Sequence, residues 1–199
     1  QNCTAIDNIF CWHGNPELII AIIKLMEDKL NAESDILEGG VQAILLVEDS
    51  VRFYSTYLPE LYKILLVQNS EFLKDAYNEQ QQINRKRARP KVLLATNYTD
   101  AIEIYSQYKK NLLGVISDVG LILNQGDRAE NEKLDAGIDI CKMIKTETPW
   151  MPVILQSSQE NYNAVAEQMG VGFISKSSKT LLTELQDVIL REFGFGEFV

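Results

Sequence analysis

The chain has 199 residues, 46% of them hydrophobic, and a formal net charge of −9. That is enough apolar material for one sizeable core, and an acidic balance argues against nucleic acid, whose phosphates want a basic face. No apolar run reaches the roughly eighteen residues of a membrane span, no secretory signal pattern opens the chain, and Cys3, Cys11 and Cys141 are too scattered for a disulfide framework or a zinc site. A cytoplasmic setting is expected. The chain opens at Gln1 and is read as a piece of something longer.

Residues 5–12, AIDNIFCW, read as a short strand. NPELIIAIIKLMEDKLNAE reads as a helix. Asn15 suits an N-cap, Pro16 the first helical position and Glu17 the positive helix start. Its apolar stripe is read as Leu18, Ile19, Ile22, Ile23 and Met26. Gly39 and Gly40 then punctuate the chain, which sets a segment 1–38 apart from a main domain at 39–199. VQAILLVE is a strand. The helical region from Ser50 contains Pro59, which is expected to kink or split it. Helical pattern continues through 60–88, too long for one helix of a compact domain, and predicts a projecting helical arm. Its Leu61, Ile64, Leu65, Phe72, Leu73 and Tyr77 offer surface for a homodimer or for folding back on the domain. The basic run RKRARPK (Arg85, Lys86, Arg87, Arg89, Lys91) is read as a solvated helix end, where cations offset the dipole. It lacks interleaved aromatics for stacking on bases.

KVLLAT is the next strand and YTDAIEIYSQYKKN a helix. LLGVIS is a strand closing at Asp118, NQGDRAENEK a polar loop, and LDAGIDICKMIKTE a helix on which Cys141 packs as a small hydrophobe. PVILQS, QENYNAVAEQMG, GFIS and KTLLTELQDVILREF complete a strand–helix–strand–helix run. Strands of continuous Val, Ile and Leu are covered on both faces. Their alternation with helices predicts an α/β fold, a doubly wound five-stranded parallel sheet, whose ligands sit at the carboxyl ends of the strands near a topological switch point.

The strand ends therefore matter most. The first closes on Glu48 and Asp49, the third on Asp118, the fourth on Ser157 and the fifth on Lys176. Three gathered carboxylates resist ionising together unless something positive sits among them. A divalent cation answers that need, and carboxylates with several waters suit Mg2+ best. Lys176 can pair with Asp118 or with a phosphoryl group, Ser157 can hydrogen-bond a phosphoryl oxygen, and an Asp carboxylate can act as nucleophile toward phosphorus, giving an acyl phosphate.

VED, VISD, PVILQSS and GFISK at successive strand ends resemble the receiver (CheY-like) domain of two-component response regulators, over about residues 41–193. The spacings Pro152 to Ser157 and Phe173 to Lys176 match that family's pattern. The resemblance implies a flavodoxin-like receiver fold with an extended helical insertion after the first strand. It implies Asp118 as phosphoacceptor, with Mg2+ held by Glu48, Asp49, Asp118 and the backbone carbonyl of Gly120. By the same resemblance Lys176 would neutralise the phosphoryl group, Ser157 would follow it and Phe173 would turn inward as the switch. It further implies a histidine kinase or a small phosphodonor as the source of the phosphoryl group, and a C-terminal catalytic or output module that receives the signal. Two departures stand out: no Met-Pro pair follows the acceptor, and Ser177 rather than proline follows the lysine.

LREFGFGEFV, with VEDSVRFYSTYLPELY and RARPKVLLATNYTDAIEIY, resembles the regulatory N-terminal region of bacterial phosphoenolpyruvate synthase-like proteins. Segment 1–38 is then the tail of a preceding receiver-like module. The catalytic machinery of that enzyme class is absent: no phosphate-cradling Gly-rich loop occurs, and the one histidine, His13, lacks the phosphohistidine surroundings. The fragment is expected to catalyse its own phosphorylation and dephosphorylation and no metabolic reaction. The rival reading is a pseudo-receiver serving as an interaction or oligomerisation scaffold. A flavodoxin-like cofactor binder has no use for acids at the first strand end, and an aspartyl phosphatase wants a second Asp where Gly120 stands.

Overall fold

Burial of one strand from both sides organises the molecule. The structure, a computed structural model, describes the backbone of residues 8–74, 89–127 and 132–193, and their side chains except 68–74. Every residue of β1 (Ala43–Val47) is buried. Ala43, Leu45 and Val47 enter one hydrophobic core, and Ile44 and Leu46 the other. An aliphatic chain at each position is what two apolar surroundings require, and each buried Leu or Ile contributes about 1.5–3 kcal/mol.

β1 lies inside a five-stranded parallel sheet with β2 (Lys91–Ala95) on one side and β3 (Leu112–Asp118), β6 (Val153–Ser157) and β7 (Gly172–Ser175) following on the other, in the order β2-β1-β3-β6-β7. This is the doubly wound sheet expected from the sequence. The chain turns outward from β1 to β2 and then crosses back to β3, so the switch point lies between the carboxyl ends of β1 and β3.

Helices α3 (Tyr98–Tyr108), α4 (Ala136–Glu147) and α5 (Tyr162–Met169) cover one face; Tyr105, Cys141 and Ala166 lie in its core. Asn97 opens α3, its Oδ1 accepting from the Asp100 N–H at 2.8 Å. The other face carries α1 (Glu17–Ala32), α2 (Val51–Lys74) and α6 (Leu181–Glu192), with Leu25, Tyr57, Leu61 and Leu185 in its core. Burial holds the Cys141 thiol up at about 11, as befits a packed hydrophobe.

Several elements differ from the sequence reading. Residues 8–12 form no strand. They run along α2, where the Cys11 N–H donates to Ser55 Oγ at 3.0 Å, the Tyr54 hydroxyl donates to the Ile9 carbonyl, and Phe10 meets Tyr54 edge-on. α2 passes through Pro59 unbroken; Tyr57, Leu58, Leu61 and Tyr62 bury around that point, and their packing outweighs the lost hydrogen bond. Leu61, Ile64 and Leu65 fold back into the core of the domain, one of the two readings their apolar surface allowed. The side chains of Phe72 and Leu73, and Tyr77 altogether, lie outside the described residues, as does 75–88 of the arm. The polar stretch after Asp118 contains a two-stranded antiparallel pairing of β4 (Leu121–Ile122) with β5 (Glu132–Lys133).

The inward stripe of α1 is Leu18, Ala21, Leu25, Asp28 and Ala32. Ile19 and Ile23, read as its buried face, are more than half exposed. The true stripe was hidden because one position is Ala and another is a carboxylate. Asp28 is fully buried and accepts from the Tyr62 hydroxyl (2.8 Å), from the Val92 N–H (2.9 Å) and from both terminal nitrogens of Arg89. Lys91 pairs with Asp35 at 2.7 Å in the π-helical turn Glu33–Glu38 that extends α1. The basic run thus contributes two buried pairing groups, Arg89 and Lys91, and no solvated helix end at those positions; Arg85, Lys86 and Arg87 lie outside the described residues. Through Asp28, residues 17–38 are fastened to the sheet that carries the site.

Candidate functional site

Parallel pairing delivers the predicted residues to one edge. Val47 is in register with Ser117, and Asp118 with Gln156, so the residues following β1 stand level with the end of β3. Ser157 closes β6, and Lys176 follows β7 with its N–H donating to the Ser157 carbonyl at 2.8 Å. Around them is a cavity of about 270 Å³ lined by Asp49, Phe53, Asp118, Gly120, Glu132, Ser157 and Lys176 among others.

Asp118 is held on two sides. Its Oδ1 accepts from the Val119 N–H at 2.7 Å and its Oδ2 from the Lys176 ammonium. Gly137, at the start of α4, packs so closely that a Cβ there would lie 2.0 Å from the Asp118 carbonyl oxygen. The helix thereby fixes the backbone that aims the carboxylate. Lys176 is buried and also lies 2.7 Å from Glu48 Oε2, with its nitrogen 4.4 Å from the centre of the Phe53 ring. Glu48 is fully buried, and its Oε1 accepts from the Ser50 N–H at 3.1 Å. Asp49 faces the cavity, and its Oδ2 accepts from the Ile122 N–H of β4 at 2.9 Å.

Oxygens of Glu48, Asp49 and Asp118 all lie within 4.8 Å of one another. Burial, reinforced by Asp118 and opposed by Lys176, pushes the Glu48 carboxyl up to about 8. Burial likewise raises Asp118, against the pull of Lys176. In both, loss of water around the carboxylate is the largest cause, and a neighbouring carboxylate adds to it. Hard oxygen donors crowded in this way fit a divalent cation.

Of the other predicted residues, Ser157 is buried and its Oγ accepts from the Gln159 N–H at 3.1 Å. Phe173 is half-buried against the core beneath α3, α4 and α5 and is not among the residues lining the cavity. Gly120 lines the cavity beside Glu132.

Sequence reasoning missed three contributors. Phe53 carries no mark in the pattern of α2, the Ile122 N–H carries no side-chain signal, and Glu132 falls in a stretch that reads as loop. Leu121-Ile122-Leu123 ahead of the Asn124–Asp127 turn was the available hint of a strand folding back over the site.

No protein-family model matches the chain, and no curated protein matches it. Solved structures do. A response regulator receiver domain protein from Clostridium thermocellum is 20% identical over 77% of this chain and 95% of its own, with a TM-score of 0.48. A CheY-like receiver domain protein from Methanospirillum hungatei is 12% identical over 77% and 94%, with a TM-score of 0.49. The Mn2+-bound form of response regulator Rcp1 is 17% identical over 79% and 97%, with a TM-score of 0.45.

Proposed function

We propose that the chain is a phosphoacceptor domain of the receiver type, phosphorylated on Asp118 with the help of Mg2+. The observation that carries this reading is the convergence on Asp118 of a buried ammonium from Lys176 and of the Glu48 and Asp49 carboxylates. Asp49, Asp118 and the Gly120 carbonyl would hold the cation, with Glu48 beside them. When bound, the cation neutralises the carboxylates and the phosphoryl oxygens. Asp118 attacks phosphorus, a new P–O bond forms, and the donor's P–O or P–N bond breaks with its electron pair leaving on the donor. Lys176 is placed to stay with the phosphoryl oxygens. Ser157 moves to hydrogen-bond one of them, and Phe173 turns into the space it leaves, giving a local charge change a structural readout. The donor is a phosphohistidine of a histidine kinase or a small acyl phosphate.

Control of a C-terminal phosphoenolpyruvate synthase-like module is the narrower form of the proposal and rests on the sequence resemblance alone. So does the origin of residues 1–38 in a preceding module. The scaffold reading draws support from Ile19, Ile20 and Ile23 on the exposed side of α1. Intact mass after incubation with acetyl phosphate and magnesium separates the two. One phosphoryl adduct, absent without magnesium, supports the acceptor. No adduct, together with no magnesium binding, favours the scaffold.

A further inference from the structure

Glu132 is not one of the residues at the strand ends of the five-stranded sheet. It reaches the site from β5, which pairs with β4 directly after Gly120. β4 is itself tied to the site, since the Ile122 N–H donates to Asp49 Oδ2 at 2.9 Å. The pairing sets Glu132 opposite Ile122, and the carboxylate comes back over Gly120. A Cβ built on Gly120 would lie 2.1 Å from Glu132 Oε1. The space that any other residue two past Asp118 would fill with its own side chain is therefore occupied by a carboxylate from a separate strand. Glu132 also lines the cavity with Asp49, Asp118 and Lys176.

Glu132 is not one of the three acids whose oxygens all lie within 4.8 Å of one another. It is exposed, at the rim of the same cavity. Mg2+ keeps several of its waters when bound by protein carboxylates, and a carboxylate lining the same cavity can serve those waters as a hydrogen-bond acceptor.

We propose that Glu132 is a positioning residue for the cation site, accepting hydrogen bonds from cation-bound water and so selecting a strongly hydrated ion such as Mg2+. This rests on the cation-dependent reading above. Outer partners of metal sites change affinity by about 10–100-fold. The glycine at 120 is the condition for the arrangement, because a side chain there displaces the carboxylate.

The test is direct titration of the intact chain with magnesium and, separately, calcium, read by calorimetry without any phosphodonor. Glu132→Gln is expected to weaken magnesium binding about tenfold and calcium binding clearly less, because calcium sheds its water more readily and takes more protein oxygens. Gly120→Ala is expected to weaken magnesium binding similarly, and the double variant to be no weaker than the worse single one. Thermal unfolding of Glu132→Gln without cation should match wild type. Unchanged magnesium affinity in Glu132→Gln overturns the inference, as does an equal loss for both ions. Asp49→Ala separates the two levels. If it abolishes magnesium binding while Glu132→Gln does not weaken it, only the role of Glu132 fails. If wild type binds no magnesium, the cation-dependent reading fails and takes this one with it.

Discussion

The ammonium of Lys176 hydrogen-bonds Asp118 and lies 2.7 Å from Glu48, so one buried cation serves carboxylates from two strand ends. It stands where a divalent cation's charge is also wanted. Removing it makes the carboxylate cluster more negative while taking away the group proposed to face the phosphoryl oxygens. Lys176→Met is therefore expected to tighten magnesium binding, by about tenfold for one charge removed at short range in a partly screened site. The same variant should slow phosphorylation from acetyl phosphate by about a hundredfold or more. Calorimetric affinity and phosphorylation rate, measured on one preparation, should move in opposite directions.

The raised Glu48 carboxyl predicts how stability depends on pH. Its value goes from 4.5 ordinarily to about 8 in the fold. Between those values the native state holds a proton that the unfolded chain has released. The contribution is fully present below about 4.5 and is lost as pH rises through about 8. Asp118, also raised, acts in the same direction. Urea unfolding without divalent cations should show stability falling across this window, by up to about 1.4 kcal/mol per pH unit for one group. Glu48→Gln should flatten the slope. Saturating magnesium should reverse the trend near neutrality, because the cation binds the ionised form.

Asp28 predicts a loss of stability remote from the chemistry. It meets Arg89, Tyr62 and the Val92 N–H in full burial. Asp28→Ala leaves the Arg89 guanidinium buried without its carboxylate and should cost about 3–5 kcal/mol. Tyr62→Phe removes one hydrogen bond and should cost about 1–3 kcal/mol. Denaturant midpoints check both values.

Gly137→Ala tests the packing that aims Asp118. The new methyl group would meet the Asp118 carbonyl oxygen and come within 3.0 Å of Ser117 Oγ. A loss of about 1–3 kcal/mol is expected from overpacking. Magnesium affinity and phosphorylation rate should fall with it, measured at a temperature where the variant is fully folded.

The sheet was legible because β1, β2, β3 and β6 are largely apolar runs buried on both faces. The strand-end residues followed from it, since parallel pairing alone brings Glu48, Asp49, Asp118, Ser157 and Lys176 to one edge. What stayed hidden depends on long-range contacts. Asp28 reads as a polar surface residue until Arg89, 61 positions away, is seen beside it. Glu132 reads as loop because its position depends on a pairing between segments of two residues each. α2 passes Pro59 because tertiary burial outweighs a local rule. Local pattern carries the framework, and the fastening and rim residues come from packing.

The central claim is that Asp118 itself takes the phosphoryl group. Treatment with acetyl phosphate and magnesium, followed by borohydride reduction and peptide mass spectrometry, tests it most directly, because an aspartyl phosphate is reduced to homoserine where a free carboxylate is not. Homoserine is expected at position 118 in wild type, and none there when magnesium is withheld. Homoserine at another aspartate, with residue 118 unchanged, would contradict it.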